Sequence, residues 1–455
     1  MSARPSEACI CLIQVHYPPA GPMAASMTSD TSPDLLGSYR SVRAHTDALT
    51  APLSDEDQCI QTMPDVSPTK WHRAHVTWFF ETFLCKPHLA GYIEHDPAFG
   101  FLFNSYYETI GKRHPRPERG NLSRPSCAEI TAYRRYVDMA MERLLCGGIA
   151  PGIADLVTLG LHHEQQHQEL ILMDIKHVLS CNPALWPAYR ESCNAAAAGA
   201  GEACASEARW VSFDGGEIAV GHDGCGFAFD NEGPRHQVLT APFRLADRPV
   251  TCAQWLEFMA DGGYDTPTLW LSDGWGQRSV HGWDSPAYWH LGDDGWQVFT
   301  LGGLKAVAPN EPVCHLSYYE ADAFARWAGA RLPTEFEWEH AVTGLPEVGN
   351  IGDGARLHPA PALAVPQACA SRSAPLQQMY GDVWEWTSSP YSPYPGFRVA
   401  PGAVGEYNGK FMINQMVLRG GCCATPEGHI RPTYRNFFHP HTRWHFSGLR
   451  LAVDA

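Results

Sequence analysis

The chain has 455 residues, 44% of them hydrophobic, with 15 Trp, 17 Tyr and 19 Phe, which is material for two large cores; its 41 Gly and 36 Pro point to a loop-rich part. A net charge of −16 and the lack of a large Lys/Arg cluster argue against nucleic acid or an anionic membrane as partner. No apolar run approaches the roughly 20 residues of a membrane span, and 15 Cys, an odd number with no C-x-x-C pair, read as scattered reduced thiols of a cytoplasmic protein.

Residues 1–33 are expected to be a disordered extension. The apolar patch Ala8–Val15 is too brief for a signal peptide, and Met23 or Met27 is an alternative start. Leu35, Tyr39, Val42 and His45 fall at helical spacing and predict a first helix, Leu35 to Leu49. Ser67-Pro68 supplies an N-cap and a first-turn proline for a second, Thr69 to Leu84. On that helix Trp71, His75, Trp78 and Thr82 form one stripe, and His75 is the member with a strong ligand atom. His72 lies off the stripe and is the weaker candidate. A lone His on an apolar face is ordinarily a satisfied core residue, so His75 becomes a ligand only where a metal site needs one more.

Phe99 to Ile110 contains the pair Tyr106-Tyr107, and the basic, proline-broken loop Lys112 to Gly120 follows, with Arg116 in its middle. A packed aromatic pair and a solvated loop account for these residues as well as a phenol proton donor and a carboxylate clamp do. Ser126-Cys127-Ala128-Glu129 is a capping box that opens a helix to about Cys146, closed by Gly147-Gly148.

The last helical pattern is the longest, roughly Gly152 to Cys181. Leu156, Gly160, His163, His167, Leu170 and Asp174 recur at three- and four-residue steps and share a face. His163 and His167 are one turn apart, so both imidazoles reach one point, as at a metal site. The stretch His163-Glu164-Gln165-Gln166-His167 also satisfies the zinc-peptidase pattern with Glu164 as base. The polar Gln165, Gln166 and Gln168 sit where a peptidase helix would be packed. Two histidines still need a third ligand, which turns the balance at His75. Four helices with ligands on facing members describe a bundle with a metal in or at the end of its core.

Residues 191–207 lack periodicity and read as a linker. From Arg209, strand-like runs (Trp210 to Phe213, Gln237 to Leu239) alternate with Gly, Asp and Pro turns. Capping boxes at Ser317–Glu320 and Thr334–Glu337 open helices Tyr318–Ala328 and Glu335–Ala341. The expected class is therefore α+β, with a helical bundle over 34–190 and an irregular α+β domain over 208–455.

Three segments of the second half carry a resemblance: Ser317 to Trp327; Ala330 to Glu339; and Gly381-Asp382-Val383-Trp384-Glu385-Trp386-Thr387 with Leu418-Arg419-Gly420-Gly421. Together they resemble the formylglycine-generating-enzyme/sulfatase-modifying, C-type-lectin-like fold. The first half resembles a DinB-like four-helix bundle. With Ala74-His75-x-x-Trp78-Phe79, Asn104-Ser105-Tyr106-Tyr107 and His163-x-x-Gln166-His167, the chain is similar to the iron-dependent sulfoxide synthases of ergothioneine biosynthesis (EgtB type) over about residues 35–455.

The resemblance implies Fe(II) held by His75, His163 and His167, with O2 as co-substrate and hercynine (N-alpha-trimethylhistidine) and cysteine as small-molecule substrates. It implies a hercynylcysteine sulfoxide as product. Tyr106 or Tyr107, with Tyr107 preferred, is expected as proton or electron donor in the oxygen step. Gln166, Asn436 and Phe437 are expected to hold the betaine, and Arg116 the cysteine carboxylate. The departures are informative. The places of the two reactive cysteines of formylglycine-generating enzymes fall on Thr425 and Ile430. The family branch that uses γ-glutamylcysteine carries an Asp and an Arg after its Arg-Asn-aromatic motif; here Phe438 and Thr442 stand there, beside Arg443. This points to the cysteine-using branch. Other classes considered are a C–Se bond-forming synthase, a zinc hydrolase built on Glu164, and a lectin-like binding module.

Overall fold

The computed structural model describes residues 34–190, 208–352, 356–363, 376–399, 405 and 408–455. The expected N-terminal extension and the linker 191–207 lie outside the described residues. Four long helices come first: α1 (Leu35–Thr50), α2 (Thr69–Phe80), α3 (Cys127–Cys146) and α4 (Pro151–Ser180). Asp34 caps α1 through Gly37 N at 2.8 Å, Ser126 and Glu129 make the predicted capping box of α3, and Pro151 sits in the first turn of α4.

Every residue of α2 is buried, because α3 and α4 both pack on it. The sequence predicts α-helix as far as Leu84, but after Phe80 the chain widens into a π turn, Glu81–Cys85. There the Glu81 carboxylate accepts from the hydroxyls of Tyr92 at 2.6 Å and Tyr133 at 2.5 Å, a tertiary anchor that helix propensity does not encode. Gly160 sets the approach of α4 to α2. A Cβ there would lie 2.7 Å from Phe80 Cε1 and 3.0 Å from Phe79 Cε1, so a larger residue would push apart the two helices that carry His75 and His163.

Among its described residues the second half holds four α-helices, α5 (Cys252–Ala260), α6 (Ser272–His281), α7 (Tyr318–Trp327) and α8 (Glu335–Ala341), among short strands. The two predicted capping boxes open α7 and α8 as expected. Strands β1 (Trp210–Phe213), β2 (Gly216–Val220), β3 (His236–Thr240), β4 (Phe243–Ala246), β5 (Trp289–Gly292), β6 (Gly295–Thr300) and β7 (Gly303–Ala306) form small sheets, and the sheet that matters most combines β8 (Trp384–Pro390), β9 (Met416–Arg419), β10 (Asn436–Phe438) and β11 (Ser447–Gly448) in the order β10-β9-β8-β11. Its pairs are antiparallel except β11 with β8. β10 is held at the sheet edge by a buried ion cluster just before it. Arg435 donates to Glu335 at 2.8 Å, Arg419 reaches Glu335 at 3.0 Å and Glu339 at 2.8 Å, and Tyr394 adds its hydroxyl. Buried carboxylates and guanidiniums persist only when mutually paired, so the cluster fixes α8, β9 and the start of β10 as one unit.

α4 belongs to both halves. Leu172, Met173, Ile175 and Val178 from its C-terminal turns join one continuous core with Trp384, Leu418, Phe446 and Leu449. Polar residues bind the same seam: Trp384 Nε1 donates to Glu169 at 2.7 Å, and Thr425 Oγ1 at 2.6 Å. Among the described residues no helix is long and apolar enough to cross a membrane.

Candidate metal centre

α2 presents His75 and α4 presents His163 and His167 at the floor of the seam. Each offers one ring nitrogen, and the three nitrogens lie within 4.8 Å of one another. Two nitrogens bound to one ion at about 2.1 Å are at most about 4.2 Å apart, so small ring rotations close the set. His75 Nδ1 is 2.6 Å from the carbonyl of Phe103, which makes Nδ1 the N–H and leaves Nε2 as the ligand atom. His167 Nδ1 is 2.8 Å from Nδ1 of His72, so its Nε2 is likewise available. His163 Nδ1 is buried with no hydrogen-bond partner among the described residues. Trp71 stacks on one side of His75 at 4.7 Å and Trp78 on the other at 5.7 Å, while Phe79 covers His163 at 4.8 Å.

Burial lowers all three imidazoles: His163 to about 3, and His75 and His167 well below their usual range, with the neighbouring imidazoles contributing. Three neutral, apolar-walled imidazoles with a buried unpartnered nitrogen are a donor set that fits a divalent transition metal. The sign for stability follows. Between pH 3 and pH 6.5 the unfolded His163 binds a proton that the folded one refuses, so metal-free protein gains stability as pH rises through that window and loses it as pH falls. The melting temperature of metal-free protein is expected to drop below about pH 6.5; a flat profile between pH 4 and 7 would contradict neutral buried ligands.

Glu164 points away from this floor. Its carboxylate is fully buried between Arg43 at 2.9 Å, Thr46 at 2.7 Å and Arg134 at 3.3 Å. A base locked in two ion pairs on the opposite side of α4 does not activate water at the histidines, which removes the zinc-hydrolase alternative. The glutamines that made this helix look polar are tethered to other elements. Gln168 donates to Val42 O and Thr46, Gln165 to Glu427 O, and Gln166 to Tyr434.

All nine sequence-nominated residues line one cavity of about 220 Å³: His75, His163, His167, Tyr106, Tyr107, Gln166, Arg116, Asn436 and Phe437. Gln166 Nε2 donates to Tyr434 at 2.9 Å across the seam. Phe437 stacks on Tyr391 at 4.0 Å, and Tyr106 meets Phe411 edge-on at 5.0 Å, giving the cavity an aromatic wall. Tyr107 is buried beside the centre, packed on Trp78 at 5.7 Å, on Phe79 at 6.4 Å and on Phe83 at 5.2 Å.

Arg116 reaches the cavity, where its guanidinium donates to the Tyr106 hydroxyl at 3.0 Å and to the carbonyl of Asp65 and so braces a tyrosine. The arginine better disposed toward a carboxylate is Arg119. It is buried, lies 3.3 Å over Trp71, and donates to Ser67 and Ser105 hydroxyls at 2.8 and 3.1 Å. No carboxylate pairs with it among the described residues, and burial lowers it to about 9. The spacing of three in Arg116-Pro117-Glu118-Arg119 carries the missed signal: the segment is a 3-10 turn (Arg116–Asn121), in which such residues share a side. His72, set aside as off-stripe, contacts His167 directly. Tyr434 and Trp444 also line the cavity and had no sequence signature.

Residues 196–455 match the family model of the sulfatase-modifying factor enzyme 1-like domain, which sets the class of the second half. Over nearly the whole chain the likeness is narrower. The hercynine oxygenase of Mycobacterium tuberculosis is 34% identical over 448 residues, 93% of this chain and 100% of that protein. The hercynine oxygenase of Mycolicibacterium thermoresistibile is 35% identical over 429 residues, 86% of this chain and 88% of that one. The formylglycine-generating enzyme of Streptomyces coelicolor is 30% identical over 287 residues, covering 54% of this chain and 89% of that enzyme. The chain belongs to the sulfatase-modifying factor 1-like family and, within it, to the hercynine oxygenases.

Proposed function

We propose that this protein is a non-haem iron, O2-dependent synthase that joins cysteine to hercynine and yields hercynylcysteine sulfoxide. The observation that carries the reading is the three-histidine floor of a cavity walled by Tyr106, Tyr107, Gln166, Asn436 and Phe437. Its helical half is read as the DinB-like bundle of that family, and its unpaired described cysteines suit the reducing cytoplasm. The reaction balances as thiol plus imidazole C–H plus O2 giving sulfoxide plus water: one C–S and one S–O bond form, and S–H and C–H are lost. His75, His163 and His167 would hold the iron, which would supply oxygen activation and bring the reactants together.

The protein groups do the rest. Gln166, held by Tyr434, and Asn436 orient the imidazole against the floor. The aromatic wall suits a trimethylammonium group, an attraction of about 0.5–2 kcal/mol. Arg119, braced by two serines and a tryptophan, takes the cysteine carboxylate, with Arg116 beside it. Tyr107 is assigned the proton or electron delivery, since it packs against the rings that flank His75 and His163.

Cysteine is preferred over γ-glutamylcysteine because the second carboxylate and amine find no clamp among the described residues. Arg443 turns away to Glu320 at 2.8 Å and lies over Trp283, and Thr442 takes its place at the cavity. Seating the second carboxylate in the cavity without a partner costs about 1–3 kcal/mol of lost hydration, so kcat/KM is expected to favour cysteine by about tenfold or more. A competition assay with both thiols reads this directly; equal use, or preference for γ-glutamylcysteine, would overturn the branch assignment.

A further inference from the structure

We propose that His72 and Asp174 are positioning residues for the ligand His167, forming a buried carboxylate–imidazole–imidazole chain that supplies the negative charge the all-imidazole donor set lacks. The inference rests on reading His75, His163 and His167 as a metal centre. Asp174 lies two turns after His167 on the same face of α4, and His72 precedes His75 on α2, so the chain bridges both ligand-bearing helices. Asp174 Oδ2 is 3.0 Å from His72 Nε2, and His72 Nδ1 is 2.8 Å from His167 Nδ1. The carboxylate is itself fixed by Ser67 N at 2.8 Å on one oxygen and Trp444 Nε1 at 3.0 Å on the other. His72 and Asp174 are both buried.

Proton placement gives the geometry its meaning. A carboxylate accepts, so His72 Nε2 must carry the hydrogen between them. In neutral His72 the Nδ1 is then a lone pair, and it accepts from His167 Nδ1–H. That leaves the Nε2 lone pair of His167 facing the cavity, the tautomer a metal requires. The opposite arrangement would put an N–H on the metal side of His167. Asp174 therefore selects the ligating tautomer two hydrogen bonds away, orients both rings, and makes His167 a more basic donor, as outer partners of metal-bound histidines do.

The test uses the full chain and Co(II) as probe, read by its visible ligand-field bands in titration, with the melting temperature of metal-free protein measured beside it. Asp174→Asn and His72→Phe are expected to weaken Co(II) binding by about 10- to 100-fold and to shift the bands. His72→Gln, whose amide can accept from His167 and donate to Asp174, is expected to recover part of both. Parent-like affinity and bands in Asp174→Asn and His72→Phe would overturn the dyad. So would weakened binding that tracks a lowered melting temperature with unshifted bands, since that marks a merely structural role. If either variant fails to fold, the other is read by the same criteria beside His72→Gln: affinity and bands no worse in that variant than in His72→Gln count against the dyad. A parent that binds no Co(II), or binds it equally after His163→Ala, overturns the metal-centre reading and the dyad with it.

Discussion

His163→Ala is expected to abolish tight metal binding and with it all product formation, while the folded bundle survives. Loss of an outer partner costs a metal site about 10- to 100-fold in affinity, and loss of a ligand from a set of three exceeds that. The imidazole is packed against Phe79 and pays for its burial in the metal-free state through an unpartnered Nδ1. Removing it takes away a desolvated polar atom together with its packing, two effects of opposite sign on stability. Metal analysis after dialysis, paired with a melting curve, separates loss of the site from loss of the fold. Stoichiometric metal in folded His163→Ala protein would contradict the ligand assignment.

Tyr107→Phe is expected to leave substrate affinity within a few-fold of the parent and to slow or divert the sulfoxide step by about 10²–10⁴. The ring sits in an aromatic cluster with Trp78, Phe79 and Phe83, so phenylalanine preserves the packing and removes one hydroxyl. Tyr106→Phe is the companion variant. Its hydroxyl accepts from Arg116, and its loss is expected to loosen that bridge. Product partition read by mass spectrometry distinguishes them. Unchanged partition in both variants would remove tyrosine from the oxygen step.

The sequence made the ligand floor legible because helical periodicity is local. His163 and His167 share a face by spacing, and His75 lies on an apolar stripe that has to meet them. Caps are local too: the capping boxes predicted at Ser126, Ser317 and Thr334 all mark helix starts. At α2 the expected N-cap Ser67 does not cap; Pro68 takes that position without a side-chain bond, and the Ser67 hydroxyl instead accepts from Arg119. The partnerships that no local pattern shows act across long separations. His72 matters through Asp174, 102 positions away, and Gln166 through Tyr434, 268 positions away. The ion cluster that seats Asn436 draws on α8, β9 and the residue before β10, which no periodicity links. Arg116 and Arg119 were separable only once their segment was known to be a 3-10 turn rather than open loop.

The most direct measurement mixes Fe(II)-loaded protein with hercynine and cysteine without oxygen, then admits air and follows the products by mass spectrometry. The account predicts a single adduct with the mass of hercynine plus cysteine plus one oxygen minus two hydrogens, formed only with iron, air and both substrates. No adduct from protein verified to hold iron, with either cysteine or γ-glutamylcysteine, would contradict the account.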